Sequence, residues 1–354
     1  MIYLDYQATT PLAPEAFAAM EPWLKDHFAN PHSAHAAGRA AAAAVEVARD
    51  QVAALLPEGG RVIFTSGATE AINLAIMGCG LPVTAVATEH AAVLDCVHAR
   101  NGDVLPVSVT GALVDPFTSR DENGGGRLVA AMLVNNEIGT IQPIAKLAQA
   151  AHAQSGLLLC DAVQGFGRIP IVNGPDMIAI SAHKIHGPKG IGALWVRDGI
   201  SLVPQMLGGG QEQGTRSGTL SPVLCAGFGV AAKVAAERME ADAAHVNSLW
   251  DRAIAAFSNW TINGPTAGRY KGNLNIRREG VDVARLMSEC RDIAFSAGSA
   301  CASGSGRPSH VLRAIGLTDA QAKSSIRLGF GRYTTAEEID IAAEAINRAV
   351  EAML

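Results

Sequence analysis

Short apolar runs alternate with helix-patterned segments through the first half of the chain, and this alternation restricts the fold more than any other feature. Val83 to Ala87, Val104 to Val107, Leu128 to Val134 and Leu157 to Cys160 read as buried strands. Between them, Ala91 to Ala99 and Ile144 to Gln154 read as helices. Strands joined through helices run parallel, since a crossover and not a hairpin connects them. The expectation is an α/β protein with a mostly parallel sheet, helices on both faces, and ligand sites outside the carboxyl ends of the strands. Arg61 to Thr65 and Ala68 to Met77 extend the pattern upstream, after an alanine-rich helix over Ala34 to Leu56 and an extended N-terminal segment with Tyr3 to Tyr6 as a strand. Downstream, a long helix from Val223 past Met239 is expected to lead into a C-terminal domain. That domain would hold strands at Gly272 to Arg277 and Ala294 to Ala297 and close on an amphipathic helix, Glu337 to Met353.

The totals agree with a packed enzyme-sized chain. At 354 residues, 49% of them hydrophobic, there is enough for one large core and a second, smaller one. A formal net charge of −5 without a basic tract argues against nucleic acid as a partner. The charged fraction, 17%, is low; alanine-rich helices and a buried oligomer interface would account for that. The six cysteines show no paired close spacing, so neither a metal site nor a disulfide framework is expected. Met1 to Asp5 lacks the basic and apolar regions of a signal peptide, and no apolar run reaches the ~18 residues of a membrane span. A cytoplasmic location without membrane attachment is the expectation.

Two strand ends suggest the chemistry. The run Asp176 to Ile180 leads into Ser181-Ala182-His183-Lys184, after which Gly187, Pro188 and Gly190 break regular structure. A lysine at the end of a buried strand is partly desolvated, which lowers its pKa and makes the amine a nucleophile for a carbonyl. A surface lysine on a turn would fit the same residues, were it not for Asp161 at the end of the preceding apolar run. Pyridoxal phosphate requires a lysine for its aldehyde and a carboxylate for its pyridinium nitrogen. Lys184 and Asp161 supply that pair.

Other strand ends carry polar residues suited to such a site. Thr65-Ser66-Gly67-Ala68-Thr69-Glu70 places a glycine turn before a helix whose free N–H groups, with Thr69, can hold a phosphate; taken alone it also reads as an ordinary cap. His90, after Thr88-Glu89, is placed to stack on a ring and shuttle protons. Asn136 can donate to a carboxylate or be a turn residue, and Gln164 can reach a phenolic oxygen or cap the next segment. Arg216, with flanking hydroxyls in a glycine-rich stretch, suits an anion site, including one shared across a dimer interface. Arg327, in an apolar strand-like run, calls for a bidentate carboxylate or an internal ion pair. Cys301 stands among glycines, serines and alanines, the surroundings of a reachable thiol able to swing between a substrate and an acceptor. The other cysteines lie in apolar or helical surroundings and read as structural.

Together these residues resemble the cysteine desulfurases of the NifS/IscS type, in the class V aminotransferase group of the pyridoxal phosphate-dependent aspartate aminotransferase fold. The resemblance runs nearly the whole length, through Tyr3-Leu4-Asp5-Tyr6, Ala8-Thr9-Thr10-Pro11, Asn30-Pro31-His32-Ser33, Thr88-Glu89-His90 and Asn135-Asn136-Glu137. It continues through Asp161-Ala162-Val163-Gln164, Ser181 to Gly190, Arg216 to Thr219, Gly298 to Cys301 and Ser324 to Arg327. It implies a large domain, residues 13–233, with a seven-stranded sheet, and a smaller α+β domain, residues 1–12 and 234–354, carrying the cysteine loop. Lys184 would carry the cofactor, Asp161 pair with its pyridinium, Gln164 bind its phenolic oxygen and His90 stack on the ring. Ala68, Thr69, Ser181 and His183 would hold the phosphate, with Thr219 of a second subunit. Asn136 and Arg327 would hold the carboxylate of L-cysteine, and Cys301 would take its sulfur as a persulfide, releasing alanine. The implied assembly is a homodimer that passes sulfur to an acceptor such as an iron–sulfur scaffold protein.

The sequence departs from the family at Glu212-Gln213-Gly214, where relatives usually carry an arginine before the glycine, and the stretch from His90 to Asn136 is slightly short. The last helix ends close to Leu354, so the C-terminal extension by which IscS-type members dock their scaffold is not expected, and NifS-type is the nearer label. Two alternatives keep the fold: a selenocysteine lyase or small-substrate aminotransferase, and a non-catalytic sulfur-carrier subunit. An aminotransferase would have no use for Cys301. Intact Lys184, Asp161 and His90 argue against a subunit without turnover.

Overall fold

The alternation resolves into a seven-stranded sheet in the computed structural model, which describes residues 1–114, 126–298 and 308–354. The chain opens with β1 (Ile2–Tyr3), α1 (Pro14–Lys25), α2 (Ala36–Ala53), β2 (Gly60–Thr65), α3 (Ala68–Gly78), β3 (Val83–Val86), α4 (Ala91–Ala99) and β4 (Asp103–Leu105). It continues with β5 (Leu128–Met132), α5 (Ile144–His152), β6 (Leu157–Asp161), β7 (Met177–Ser181), β8 (Gly192–Arg197) and α6 (Pro222–Ala256). The remaining elements are β9 (Thr261–Ile262), β10 (Asn273–Arg277), α7 (Val283–Glu289), β11 (Ile293–Ala294), β12 (Ser296–Ala297), α8 (His310–Ala314), α9 (Asp319–Lys323), β13 (Ser325–Gly329) and α10 (Ala336–Glu351).

The large sheet has the order β2-β8-β7-β6-β5-β3-β4. The pairs from β7 to β4 are parallel, while β8 runs antiparallel to both its neighbours. Side chains alternate between two cores along each strand, as a pleat requires. Val62, Phe64, Val129, Ala131, Leu158, Cys160, Ile178 and Ile180 face α1, α2, α5 and α6. Ile63, Leu128, Ala130, Leu159, Met177 and Ala179 face α3 and α4. Each large apolar side chain buried this way contributes about 1.5–3 kcal/mol.

A second sheet, β12-β13-β10-β9, is antiparallel throughout and packs with Leu4, Trp250, Phe257 and Ile346. The 35-residue α6 serves both halves, with Cys225 and Phe228 in the large-sheet core and Leu249 and Trp250 in the other. Its glycines let α1 and α2 approach: a Cβ at Gly229 would lie 2.7 Å from Ala48 Cα.

Most expected elements form, with edges moved for identifiable reasons. The strand expected over Val104 to Val107 ends at Leu105 because Pro106 cannot donate to a ladder. The single strand expected at Ala294 to Ala297 is two, with β11 parallel to β1 and β12 antiparallel to β13. Phe295 turns into the core between them. Elements not anticipated include β8 and α1. β8 follows directly on the Gly187 to Gly190 breakers, which read as the start of a loop. Pro14 sits in the first turn of α1, where its missing N–H costs nothing.

Candidate active site

The carboxyl ends of β3, β5, β6 and β7 converge on one cavity of about 560 Å³, within the size range of small-ligand sites. Lys184, Asp161, His90, Gln164, Asn136 and Arg327 line it, as do Ala68, Thr69, Ser181 and His183. Ten residues singled out in the sequence thus share one chamber. Cys301 lies outside the described residues, as does most of the loop from Thr118 to Arg127. Thr219 is exposed and does not line the cavity of its own chain.

Lys184 ends a single 3₁₀ turn that begins right after β7, so the strand fixes where its amine emerges. Nζ donates to the carbonyl oxygens of Gln7 at 2.6 Å and Ala8 at 2.8 Å. Burial, helped by Arg168 and Arg327 and opposed by Asp161 and Asp5, lowers the amine from 10.5 to about 8. A neutral amine is therefore accessible near physiological pH, which a nucleophilic lysine needs.

Asp161 is the last residue of β6 and is buried. Its Oδ1 accepts the Val163 N–H at 2.9 Å, which fixes the carboxylate plane while it borders the cavity. Burial raises its carboxyl, and the Val163 N–H, His90 and Lys184 oppose that rise. Behind it stands Glu89, which is fully buried; its Oε1 accepts the Met132 N–H, and Oε2 has no hydrogen-bond partner among the described residues. Burial and the nearby Asp161 charge push the Glu89 carboxyl well up. Glu89 is thus shifted toward its neutral form beside Asp161.

His90 caps α4: its Nδ1 accepts the Ala92 N–H at 3.1 Å, which orients the ring along the cavity wall. At the other end, α3 starts from Gly67 with no side-chain cap, leaving its first N–H groups for an anion. Close packing makes this turn: a Cβ on Gly192 would lie 2.7 Å from the Gly67 carbonyl carbon. His183 shares this end, with Nδ1 3.1 Å from Thr9 Oγ1. Burial and the neighbouring Lys184, Lys189 and Arg168 charges lower it to about 4, so it is a neutral ring at pH 7.

Arg327 in β13 is 1% exposed. It donates to Asp5 Oδ1 at 2.7 Å, Ser296 Oγ at 3.3 Å and the Asn136 carbonyl at 3.2 Å, while Nε has no partner among the described residues. The internal ion pair expected as one reading of Arg327 is present, and the residue also borders the cavity. Gln164 donates from Nε2 to the Gln7 carbonyl at 2.9 Å and accepts from Arg168 at 2.7 Å. Arg216 is not free for an external anion; Glu70 grips it at 2.6 and 3.2 Å. Glu212, at the departure from the family pattern, is instead paired with Arg49 through two 2.8 Å bonds and accepts the Phe64 N–H.

Sequence reasoning gave no role to Gln7, Ala8 and Thr9, which line the cavity, nor to Glu89. Thr9 lies inside a motif already quoted. Nothing in the local pattern marks Gln7, whose part is played by a main-chain carbonyl.

The sequence model of the aminotransferase class-V family matches residues 2–341. The chain is 43% identical over 368 residues to the cysteine desulfurase IscS of Rickettsia bellii, covering 98% of this chain and 90% of that protein. The IscS of Rickettsia akari is 44% identical, with the same coverage. Among solved structures, a NifS-like protein from Rickettsia africae superposes with a TM-score of 0.91 at 29% identity, over 99% of both chains. SspA in complex with cysteine gives 0.81 at 33% identity, over 95% of this chain and 100% of that one.

Proposed function

The chain belongs to the aminotransferase class-V family and is a pyridoxal phosphate-dependent cysteine desulfurase, and on that premise we propose how its residues divide the work. The observation that carries this reading is the convergence of Lys184, Asp161, His90, Asn136 and Arg327 on one cavity. The donor set fits the cofactor. A buried amine made nucleophilic stands for the aldehyde, a buried carboxylate for the ring nitrogen, and an uncapped helix start for the phosphate.

Lys184 would hold the cofactor at its aldehyde carbon, Asp161 keep a proton on the ring nitrogen, Gln164 face the phenolic oxygen, and His90 cover the ring. Ala68, Thr69, Ser181 and His183 would bind the phosphate. When bound, pyridoxal phosphate draws electron density from the substrate's Cα. Lys184 Nζ, an amine with a lowered pKa in the same cavity, would be the base that moves the Cα proton. Asn136 and Arg327 would hold the carboxylate of L-cysteine, fixing which bond at Cα is aligned. Cys301 would accept the substrate's sulfur as a persulfide while alanine leaves.

The same proposal makes residues 13–233 the cofactor-binding domain and the protein a homodimer, with Thr219 of each subunit completing the phosphate site of the other. Exposed Met206 and Leu207 support it, being apolar side chains that a second subunit would cover, in a stretch bonded to the Thr219 segment through the Ser217 N–H and the Met206 carbonyl. The physiological acceptor would be a protein thiol of iron–sulfur cluster assembly, and the setting the cytoplasm, where the five described cysteines, all free, stay reduced. Among the described residues no helix is long and apolar enough to cross a membrane.

An assay of alanine and sulfide from L-cysteine, run beside selenocysteine and alanine-plus-keto-acid substrates, tests the reading. Preferred turnover of cysteine supports it. Efficient amino transfer without sulfide, or turnover of selenocysteine alone, would replace it with the corresponding rival.

A further inference from the structure

Arg168 does not line the cavity, yet its guanidinium is bound to two residues that do. Nη1 donates to Gln164 Oε1 at 2.7 Å. Nη2 donates to the Lys184 carbonyl at 2.6 Å and, more weakly, to the Tyr6 carbonyl at 3.4 Å. Its Cζ lies over the Tyr270 ring, 5.6 Å from the centroid, a cation–π contact that holds the group from the other side. A single turn after β6 makes this arrangement. The N–H groups of Gly165 and Phe166 bond to the Ala162 carbonyl, and those of Arg168 and Ile169 to the Gly165 carbonyl. Helix-like spacing of this kind puts positions four apart on one side. Gly167 has φ +67°, and a Cβ there would lie 2.9 Å from Ala235 Cβ, so the turn is pressed onto α6.

These bonds decide which end of the Gln164 amide faces which way. Arginine carries donors only, so the atom it meets must be the amide oxygen. The NH2 end then has two hydrogens. One goes to the Gln7 carbonyl at 2.9 Å, the same oxygen that accepts from Lys184 Nζ. The other is left for an acceptor in the cavity, which Gln164 lines. A reversed amide would set NH2 against the guanidinium and oxygen against the Gln7 carbonyl, two repulsive contacts at a buried side chain.

We propose that Arg168 is a positioning residue for the cofactor: it locks the Gln164 amide so that the NH2 group, and not the oxygen, meets the phenolic oxygen of pyridoxal phosphate, and it ties that amide to the main chain of Lys184. The proposal rests on Gln164 facing the phenolic oxygen. A donor at that oxygen favours its ionised form, and so lowers the pH at which the absorbance of the bound cofactor titrates. An arginine that only braced the turn would change stability and leave that midpoint unmoved. A positive charge acting through space would move it without Gln164.

The test titrates the absorbance of the bound cofactor in holoenzyme of the wild type, Gln164→Leu, Arg168→Met and the double variant. The expected result is a midpoint raised by about one pH unit in each single variant, with Arg168→Met adding less than about half of its own shift once Gln164 is leucine. A midpoint unmoved in Arg168→Met, although Gln164→Leu shifts it, overturns the proposal alone. So does an Arg168→Met shift that keeps about half or more of its size in the double variant, since the arginine then acts by its charge. An unmoved midpoint in Gln164→Leu rejects the Gln164 assignment, and the positioning role with it. Should Arg168→Met fail to fold or to retain cofactor, Arg168→Gln, shorter and uncharged, takes its place in the same cycle, and the same outcomes decide.

Discussion

Lys184 Nζ and Gln164 Nε2 share one acceptor, the carbonyl oxygen of Gln7, at 2.6 and 2.9 Å. The N-terminal segment thereby closes part of the cavity wall around the amine. Gly329 makes this possible, since a Cβ there would fall 1.8 Å from Gln7 Oε1 and 2.8 Å from the Tyr6 nitrogen. Substituting Gly329 by alanine would push the segment off β13 and disturb the lysine from the far side.

Burial sets the pH dependence of cofactor loading. Only a neutral amine has the lone pair that attacks a carbonyl, and burial brings Lys184 down from 10.5 to about 8. Uptake of pyridoxal phosphate by cofactor-free protein should therefore accelerate as pH rises through about 8. Stopped-flow absorbance between pH 6 and pH 10 checks this. A midpoint near the ordinary lysine value would show that the amine is solvated in solution.

Glu89 predicts a pH-dependent stability difference. Its folded carboxyl is raised well above 4.5 by burial and by Asp161. The folded protein thus keeps a proton that the unfolded chain releases, and the stability this contributes is present at low pH and lost as pH rises through the folded value. Glu89→Gln keeps a carbonyl for the Met132 N–H and cannot ionise in either state. Its melting temperature should gain on the wild type between pH 5 and pH 8. A constant difference across that range would mean Glu89 is charged in the folded protein.

Arg327 should act on substrate rather than on cofactor. Its ion pair with Asp5 fixes the guanidinium, the residue lines the cavity, and its buried Nε has no partner among the described residues. Arg327→Lys keeps the charge but loses the planar fork. With hydrogen bonds to charged groups worth about 1.5–3 kcal/mol, kcat/KM for L-cysteine should fall roughly 10- to 100-fold. The loss should fall chiefly on KM, with cofactor content unchanged. Loss of cofactor instead would give Arg327 a structural role only.

What the sequence disclosed followed from where function sits in a parallel sheet. Lys184, Asp161, His90 and Asn136 each end an apolar run, so a local pattern placed them at the same edge before any packing was considered. Arg327 was legible because a guanidinium in an apolar run needs a partner; that the partner is Asp5, 322 positions away, was not. Glu89 was opaque for the same reason. An acid beside a candidate residue reads as surface until the fold buries it, and its partner then comes from a distant segment. β8 was missed because its apolar run follows a Gly/Pro cluster, and local breakers outweighed the run behind them.

The measurement that bears most directly on the whole account is intact and peptide mass spectrometry of holoenzyme after brief exposure to L-cysteine, with alanine assayed in the same sample. The account predicts a reductant-sensitive gain of about 32 Da on Cys301, equimolar with alanine in the first turnover, and neither signal from Cys301→Ala although that variant keeps its cofactor. Alanine produced at the wild-type rate by Cys301→Ala, or sulfur found on another cysteine, would contradict it.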